Sequence, residues 1–243
     1  MENQGNTAPF VIGHRGAAGL APENTLASLR RAKIEGAAWV EFDVMLSADG
    51  IPILFHDDTV NRTTNGRGKI ANLSLEEIQS LDAGCWFSKE FQGERVPTFR
   101  DAIFEIKALG LGANVEIKPS PGAGAETAKA TCALVLSDWP GSLPPPVISS
   151  FDTSAMAVAR DLSPDIERAM LFGKLPKNWK SIVEDLDCQA VHMSTKYVTR
   201  ANVDAIRRHG FPVRVYTVND AARGQDLRDM GVASIFTDRP DLF

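Results

Sequence analysis

Short runs of β-branched and other apolar residues alternate with amphipathic stretches along the chain, and this alternation constrains the fold most strongly. The eight runs are FVIGH, AWVEFDV, ANVEIK, PVISSF, ERAMLF, QAVHM, PVRVYTV and ASIFT. Helical patterns such as PENTLASLRRAKIEG, starting near Pro22, and TRANVDAIRRHG lie between most of them and stop at Gly36 and Gly210. Strands separated by helices pair in parallel. The sequence therefore predicts an α/β fold, a (β/α)8 TIM barrel.

A doubly wound open sheet is the alternative with the same alternation. That fold carries a glycine-rich phosphate fingerprint at the start of its first helix, and no GxGxxG stands there in this chain. The length of 243 residues suits one barrel or two small domains. The barrel is favoured, and in a barrel the functional residues gather at the carboxyl ends of the strands.

One segment after the second strand interrupts the alternation. Asp49 and Gly50 stand between two apolar runs, which is a strong hairpin signal. The region from there to Pro97 contains only one short helical pattern, LSLEEIQSLD. We predict a single domain over residues 1–243 with a small insertion at about 57–97 above the barrel mouth. Within it, NRTTNGRG is interpreted as a turn shaped by its threonines and glycines.

Composition and charge exclude several classes of protein. The net charge is −5 without a block of Lys and Arg, so no nucleic-acid partner is expected. The N-terminal MENQGNTAP lacks the features of a signal peptide, and no apolar run is long enough for a stable membrane anchor. Cys85, Cys132 and Cys188 are widely spaced and are expected to be buried apolar residues in a reducing compartment. We therefore expect a cytoplasmic protein.

Charged residues recur at every second position on two of the predicted strands. Glu41 and Asp43 share one face of WVEFDV, and Glu116 and Lys118 share one face of NVEIKP. Their apolar neighbours would face the helices, which leaves the charged side chains inside the barrel. Buried carboxylates without a cation are very costly, and Mg²⁺ and Ca²⁺ prefer oxygen ligands. The pattern predicts that Glu41, Asp43 and Glu116 hold one divalent cation, Mg²⁺ or Ca²⁺.

Two histidines come from different segments toward the same carboxylates. His14 and Arg15 end the first strand at a glycine-rich turn. His56 follows the hairpin: a two-residue loop would place it opposite Asp43, and a four-residue loop opposite Glu41. Either register puts His56 on the carboxylate face, and only an odd loop or a bulge turns it away.

This set of side chains is suited to cleaving a phosphodiester. Arg15 can hold a phosphate as a bidentate fork, and Lys118 can hold it as a point charge. His14 and His56 can flank the phosphorus atom, so that one accepts a proton from the nucleophile and the other donates one to the leaving oxygen. Two other histidines have different predicted places: His192 faces the barrel interior, and His209 has a structural position at a helix end.

The motifs and their order resemble the glycerophosphodiester phosphodiesterase family of the phospholipase C-like phosphodiesterase barrel superfamily. The matching stretches are HRG at 14–16, PENT at 22–25, EFD at 41–43, then DG, HD, RTT and GRG through Gly68, LDAGCWF from Leu81, VPTF, VEIKP, SSF at 149–151, YTVN at 216–219 and TDRP at 237–240. The resemblance extends from His14 to Pro240, nearly the whole chain.

The resemblance implies a (β/α) barrel with a small insertion after the second strand, and it implies a role for each site residue. The implied metal ligands are Glu41, Asp43 and Glu116, the acid/base pair is His14 and His56, and the phosphate contacts are Arg15 and Lys118. One departure is Tyr216, where the family usually has Trp; tyrosine keeps an aromatic wall and adds a hydroxyl. Phe151 supplies a further apolar wall, with plain core packing as the other interpretation.

The implied activity is metal-dependent hydrolysis of a small-molecule glycerophosphodiester to sn-glycerol 3-phosphate and an alcohol. The attacking group is either the free glycerol hydroxyl or water, and the sequence does not choose between them. One alternative is a phospholipase of the same superfamily acting on intact lipid, which an apolar rim or a membrane-binding helix would favour. The other is a catalytically silent barrel that binds phosphodiesters, which the loss of a histidine or carboxylate would have indicated.

Overall fold

A closed parallel barrel forms the centre of the computed structural model, which describes residues 8–243. The predicted lack of a signal peptide concerns mainly residues 1–7, which lie outside the described residues. The eight barrel strands are β1 (Val11–Gly13), β2 (Trp39–Leu46), β4 (Gly112–Ile117), β5 (Val147–Ser150), β6 (Glu167–Phe172), β7 (Ala190–Ser194), β8 (Val213–Tyr216) and β9 (Ser234–Thr237), and β3 (Pro52–Leu54) pairs antiparallel with β2. The barrel closes because β1 pairs with both β2 and β9. The predicted (β/α)8 TIM barrel is confirmed.

Helices connect the barrel strands and cover their outer side. They are α1 (Leu26–Ile34), α3 (Phe99–Leu109), α4 (Gly124–Asp138), α5 (Thr153–Leu162), α6 (Trp179–Asp185), α7 (Arg200–Arg208) and α8 (Ala221–Asp229), while α2 (Leu75–Ser80) lies between β3 and α3. Helix α1 begins at Leu26 and not near Pro22, because the Thr25 hydroxyl accepts the N–H of Ser28 and caps the helix. The predicted short helix in LSLEEIQSLD is α2, which a Ser74–Glu77 capping box starts.

The alternation along β2 separates apolar packing from the charged interior. Val40, Phe42 and Val44 are fully buried in one cluster with Leu29 of α1 and Ile103 of α3. Burying one such side chain contributes about 1.5–3 kcal/mol. A shift of one residue would put the intervening carboxylates against the helices instead. Packing of the outer face therefore fixes the carboxylates inside the barrel.

The hairpin register differs from both predicted registers. Val44 pairs with Leu54 and Leu46 with Pro52, so the connection is the odd five-residue segment 47–51. Ser47 closes this wider loop, because its backbone N–H donates to the Ile51 carbonyl oxygen at 3.1 Å, and its hydroxyl accepts the Ile51 N–H at 3.0 Å. An Asp-Gly pair alone does not specify this additional pairing, and the predicted loop lengths are wrong.

The chain leaves the hairpin just before His56. Continued pairing in the observed register would place His56 opposite Phe42, on the outer face. Strand β3 instead ends at Leu54, and the last contact of the ladder is the Phe55 N–H donating to the Asp43 carbonyl oxygen at 3.1 Å. His56 therefore reaches the barrel mouth from a turn, where the side-chain alternation of a strand no longer applies.

The segment after the hairpin packs around its own apolar residues. Val60, Ile70 and Ile78 are buried together with Met45 and Ile53 of the hairpin strands. The limits of the predicted insertion and the single domain over the whole chain stay predictions.

Within residues 8–243, no helix combines the length and apolar character needed to cross a membrane.

The cysteines are free, but one of them is not where it was expected. Cys132 and Cys188 are buried, as predicted, whereas Cys85 is exposed. Both Gly84 and Cys85 donate backbone N–H groups to Oδ1 of Asp82 at 2.9 Å. This tight turn is at the surface and leaves the Cys85 side chain outside, so the expectation of three buried thiols is wrong.

Candidate active site

Three carboxylates meet at the carboxyl ends of two neighbouring barrel strands. Asp43 of β2 is in register with Glu116 of β4, and Glu41 lies one pleat earlier on the same face as Asp43. All three residues are buried, and one oxygen from each lies within 4.8 Å of the others. The group could hold a metal ion.

The charge and hydrogen bonding of the triad fit a hard divalent cation. Oε1 of Glu41 is buried and has no hydrogen-bond partner among residues 8–243. Burial, together with the charges of Asp43 and Glu116, raises the pKa of Glu41 well above its usual value. A divalent cation among the three oxygens would remove this repulsion, and an all-oxygen set suits Mg²⁺ or Ca²⁺ better than Zn²⁺.

Asn24 holds the carboxylate of Asp43 in place. Its Nδ2 donates to Oδ2 of Asp43 at 2.9 Å, and its Oδ1 accepts the Asp43 backbone N–H at 3.1 Å. Burial acts to raise the pKa of Asp43, but the charges of Arg15 and Lys118 and the hydrogen bond from Asn24 act against it, and the pKa of Asp43 is lowered. Asn24 was not predicted as a site residue, although it stands inside the PENT motif.

The turn after β1 directs Arg15 toward the triad. Arg15 and Gly16 both have positive φ, at 48° and 85°. A Cβ atom on Gly16 would clash with Ser28, so this approach requires glycine. In this conformation the Arg15 backbone N–H donates to Oε2 of Glu41 at 2.9 Å. Gly16 thus allows the turn after β1 to approach Glu41, a predicted metal ligand.

His14 is oriented by an aspartate from the last strand's end. Its Nδ1 lies 2.6 Å from Oδ1 of Asp238, and Asp238 also accepts from Nδ2 of Asn219 at 2.6 Å. An ionised carboxylate only accepts hydrogen bonds, so Nδ1 carries the proton. Nε2 of His14 then faces the triad, 3.9 Å from Oε2 of Glu41.

His56 has a matching arrangement on the other side of the mouth. Its Nδ1 lies 2.6 Å from Oδ1 of Asp57, and its Nε2 lies 2.9 Å from Nζ of Lys118. A lysine ammonium only donates, so Nε2 presents its lone pair and the imidazole is neutral. Burial lowers the pKa of His56, with a contribution from the nearby charges of Arg15 and Lys118.

The two predicted phosphate contacts lie beside the triad. Nε of Arg15 is 3.3 Å from Oδ2 of Asp43, and Nζ of Lys118 is 3.3 Å from Oε1 of Glu116. Glu23 holds the far side of the Arg15 guanidinium, with NH1 to Oε1 at 2.7 Å. Two cations therefore flank the carboxylates, where a phosphate bound at the mouth could meet both.

Phe151 and Tyr216 form an aromatic edge at the same mouth. Their ring centroids are 5.9 Å apart at an interplanar angle of 88°, and Nζ of Lys118 lies 5.6 Å from the Phe151 centroid. Phe151 is 44% exposed, which contradicts the interpretation of it as plain core packing. The hydroxyl that distinguishes Tyr216 from Trp donates to the Phe172 carbonyl oxygen at 3.0 Å, so it is already bound within the barrel.

The remaining histidines have the places predicted for them. His192 is fully buried inside the barrel, with Nε2 3.2 Å from NH1 of Arg214. His209 is the C-cap residue of α7, and its ring lies 5.8 Å from that of Trp179. His192 lines a small cavity that His14, Glu41 and Glu116 also line.

The triad predicts a stability that depends on both pH and metal. Burial and the charge of Asp43 raise the pKa of Glu116 from 4.5 to about 7. Between these values the folded metal-free protein retains a proton that the unfolded chain releases, so this group's contribution to stability falls as pH rises. Metal binding needs ionised carboxylates. We expect Mg²⁺ or Ca²⁺ to raise the melting temperature more at pH 8 than at pH 5.5.

Thermal unfolding in chelator and in excess metal, at both pH values, measures this effect. Glu116→Gln is the control, since it removes the titrating group and should reduce the pH-dependent part of the metal stabilisation. Equal metal stabilisation at the two pH values in the native protein would contradict the prediction.

The closed barrel and the paired histidines at its carboxylate-rich mouth define a hydrolase of the phosphodiesterase class. Residues 14–242 match the model of the glycerophosphoryl diester phosphodiesterase family, and the chain belongs to this family. The resemblance inferred from the sequence motifs is thereby confirmed.

Individual relatives cover nearly the full length of the chain. The solved structure of an Oleispira antarctica phosphodiesterase, in complex with the product sn-glycerol-3-phosphate, is similar with a TM-score of 0.94 and 41% identity over 96% of this chain and 94% of that one. YhdW of Bacillus subtilis (strain 168) is 34% identical over 238 residues, 96% of both chains. A glycerophosphodiester phosphodiesterase of Caldanaerobacter subterraneus subsp. tengcongensis is 32% identical over 240 residues, 96% of this chain and 95% of the relative.

Proposed function

We propose that the chain hydrolyses glycerophosphodiesters to sn-glycerol 3-phosphate and an alcohol. The observation that carries this proposal is the convergence of two aspartate-oriented histidines, His14 and His56, on one carboxylate triad flanked by Arg15 and Lys118. The substrate is a small molecule, and the product-bound Oleispira antarctica relative supports the choice of glycerophosphodiesters.

The carboxylate triad is the proposed site for one divalent cation. Glu41, Asp43 and Glu116 would hold Mg²⁺ or Ca²⁺. When bound, such an ion supplies positive charge that stabilises the phosphate oxygens as negative charge develops on them. The protein adds Arg15 as a bidentate fork and Lys118 as a point charge for the same phosphate.

Proton transfer is assigned to the two histidines. Each has Nδ1 bound to an aspartate, so each presents Nε2 to the mouth. One Nε2 accepts the proton of the attacking oxygen, and the other donates a proton to the departing alcohol oxygen. Asp57 and Asp238 hold the tautomers and stabilise a protonated ring. Phe151 and Tyr216 line the side where the alcohol group would lie.

We propose the same wider setting for the enzyme as the sequence predicts. A single barrel domain with the insertion at about 57–97 would carry the whole site. The three free cysteines support a reducing, cytoplasmic compartment. The net charge of −5 supports the absence of a nucleic-acid partner.

The bond that is cleaved tests the proposed orientation of the substrate. Arg15 and Lys118 hold the phosphate at the triad while the variable alcohol points out of the mouth. Glycerophosphocholine is therefore expected to give choline and sn-glycerol 3-phosphate, measured by chromatography of both products. Release of phosphocholine and free glycerol would show that the substrate binds in the reverse direction.

A substrate panel separates the proposed activity from its alternatives. Purified protein is incubated with deacylated phospholipids and with the corresponding intact lipids, each with and without Mg²⁺ or Ca²⁺. Turnover of the deacylated compounds supports the proposal. Turnover confined to intact lipid would support the phospholipase, and binding without turnover would support the silent barrel.

A further inference from the structure

Arg62 connects two carboxylates beside the site, although its segment NRTTNGRG was interpreted only as a turn. Its Nε and NH2 donate to the two oxygens of Asp57 at 2.7 and 2.9 Å. Its NH1 and NH2 donate to the two oxygens of Glu23, both at 2.8 Å. One guanidinium therefore makes four hydrogen bonds to two carboxylates that are far apart in the sequence.

Each of these carboxylates holds a group of the proposed reaction. Asp57 accepts from Nδ1 of His56 at 2.6 Å, and Glu23 accepts from NH1 of Arg15 at 2.7 Å. The side chains thus form one chain in the order Arg15, Glu23, Arg62, Asp57, His56. One end is Arg15, the proposed phosphate-binding guanidinium, and the other is His56, a proposed proton-transfer group.

We propose that Arg62 is a positioning residue that aligns Arg15 and His56 with each other through Glu23 and Asp57. The role rests on the proposed hydrolysis of glycerophosphodiesters, in which Arg15 holds the phosphate and His56 moves a proton. The hydrogen bonds and ion pairs of the Arg62 side chain within residues 8–243 go to Asp57 and Glu23, and not to Glu41, Asp43 or Glu116. Arg62 fixes the separation and angle of two groups that must meet one phosphate.

The arginine fork suits this role better than a lysine would. Planar N–H groups match two carboxylates in defined directions, whereas an ammonium acts as a point charge without a fixed plane. Without Arg62, Glu23 and Asp57 would have one cation fewer to offset their charges, and each would keep only its bond to Arg15 or to His56, which leaves more freedom to rotate. Rotation of either carboxylate moves the group that it holds. In agreement, the Arg62 hydrogen bonds lower the pKa of Asp57.

Other residues of the segment hold the turn itself. The Thr64 hydroxyl donates to the Val60 carbonyl oxygen at 2.7 Å and accepts the N–H of Gly66 at 3.0 Å. Oδ1 of Asn61 accepts the N–H of Gly68 at 2.9 Å. These bonds support the interpretation of Thr64, Gly66 and Gly68 as turn residues, and none of them involves the Arg62 side chain.

Arg30 offers a matched control for substitutions of Arg62. It forms a bidentate pair with Glu105 at 2.8 and 2.9 Å, and its side chain is 53% exposed against 45% for Arg62. This pair joins α1 to α3 on the outer side of the barrel. Arg30→Gln and Arg62→Gln thus each remove a half-exposed bidentate arginine, and only the second belongs to the site network.

Kinetics and stability together test the positioning role. Replacing the hydrogen-bond partners that orient metal ligands typically costs about 10- to 100-fold in activity, and a factor of the same order is expected for a residue that orients Arg15 and His56. Arg62→Gln is expected to lower kcat by about that factor while its melting temperature stays close to that of Arg30→Gln. Arg62→Lys should recover only part of the loss, because it restores the charge without the fork. Full activity of Arg62→Gln would overturn the proposal.

A double-mutant cycle tests the route through Asp57. If Arg62 acts through Asp57 and Glu23, Arg62→Gln should cost less in the Asp57→Asn background than in the native protein, because one route is already broken. Equal costs in the two backgrounds would overturn the route through Asp57.

The Nδ1 proton of His56 gives a readout that does not depend on turnover. Its ¹H–¹⁵N NMR signal, assigned by its loss in His56→Gln, is expected to shift in Arg62→Gln and to stay in place in Arg30→Gln. An unchanged signal in Arg62→Gln would overturn the proposal. A shifted signal in a protein that fails to hydrolyse any glycerophosphodiester would instead refute the proposed function and leave the physical coupling in place.

Discussion

Replacement of Glu41 by glutamine is expected to slow turnover by orders of magnitude and, at the same time, to make the metal-free protein more stable. Oε1 of Glu41 has no hydrogen-bond partner among the described residues and faces a site lined with carboxylates. Without a cation, burial and the charges of Asp43 and Glu116 oppose its ionisation. A neutral amide removes that penalty and still accepts the Arg15 N–H, but it removes one anionic ligand from the site.

The expected loss of activity together with a gain in stability distinguishes this explanation from general damage to the fold. A disrupted barrel would lose activity and stability together. Activity is measured after treatment with chelator and again after addition of Mg²⁺ or Ca²⁺, and stability is measured by thermal unfolding in chelator at pH 8. Native protein should lose its activity in chelator and recover it with metal, whereas Glu41→Gln should recover little.

Glu167→Gln is the control for removal of a barrel carboxylate far from the mouth. Glu167 is the first residue of β6, and its Oε1 lies 2.6 Å from NH2 of Arg214. This substitution breaks an internal ion pair at the other end of the barrel, so it should lower stability and leave the metal requirement unchanged. Full activity of a verified metal-free native sample would rule out the metal site.

The barrel and its carboxylates could be predicted because both depend on local periodicity. The helices cover one face of each strand, so the apolar positions of β2 determine where the intervening residues point. The same rule applies to β4, and parallel pairing places Asp43 beside Glu116. A short pattern was therefore sufficient to predict Glu41, Asp43 and Glu116 as one group, with no knowledge of loop structure.

His56 was predicted to reach the site, but the reasoning from the hairpin does not apply. The loop length depends on the Ser47–Ile51 pairing, which the Asp-Gly signal does not encode. The observed odd loop would point a continued strand away from the mouth. His56 meets Lys118 only because the strand ends first and the chain turns. The alternation of side chains between the two faces of a sheet predicts where a side chain points within paired strands, but not beyond the last residue pair.

The aspartates that orient the histidines could not be found from periodicity. Asp238 is 224 residues from His14, and the two meet because β9 pairs with β1 when the barrel closes. Finding this contact requires the strand order and register around the whole barrel. Asp57 is adjacent to His56 in sequence, but a neighbouring residue reaches back to Nδ1 only in a turn. The first contact depends on tertiary structure and the second on a local turn, and strand periodicity contains neither.

Removal of either proposed proton-transfer group is expected to lower kcat by about 10²–10⁴-fold, the usual range for general acid or base catalysis. His14→Ala and His56→Ala are measured against glycerophosphocholine, with substrate binding expected to change less than kcat. His209→Ala is the control, because His209 lies at the end of α7. A loss of kcat in His209→Ala as large as in the other two would attribute the effect to the fold.

A second substitution separates proton transfer from the loss of a contact at His56. Nζ of Lys118 lies 2.9 Å from Nε2, so alanine also removes the partner of a proposed phosphate-binding lysine. Glutamine can accept from Lys118 but cannot exchange a proton at neutral pH. Equal losses in His56→Gln and His56→Ala would assign the effect to the proton, whereas recovery by glutamine would assign it to the position of Lys118.

The double variant shows whether the two histidines act as one unit. If both act in the same phosphoryl transfer, the reaction that remains without one of them no longer gains fully from the other. His14→Ala combined with His56→Ala should then lose less than the product of the two single effects. Two independent contributions would multiply instead. A multiplicative loss would therefore contradict the action of the two histidines as one unit, even if each histidine alone proved essential.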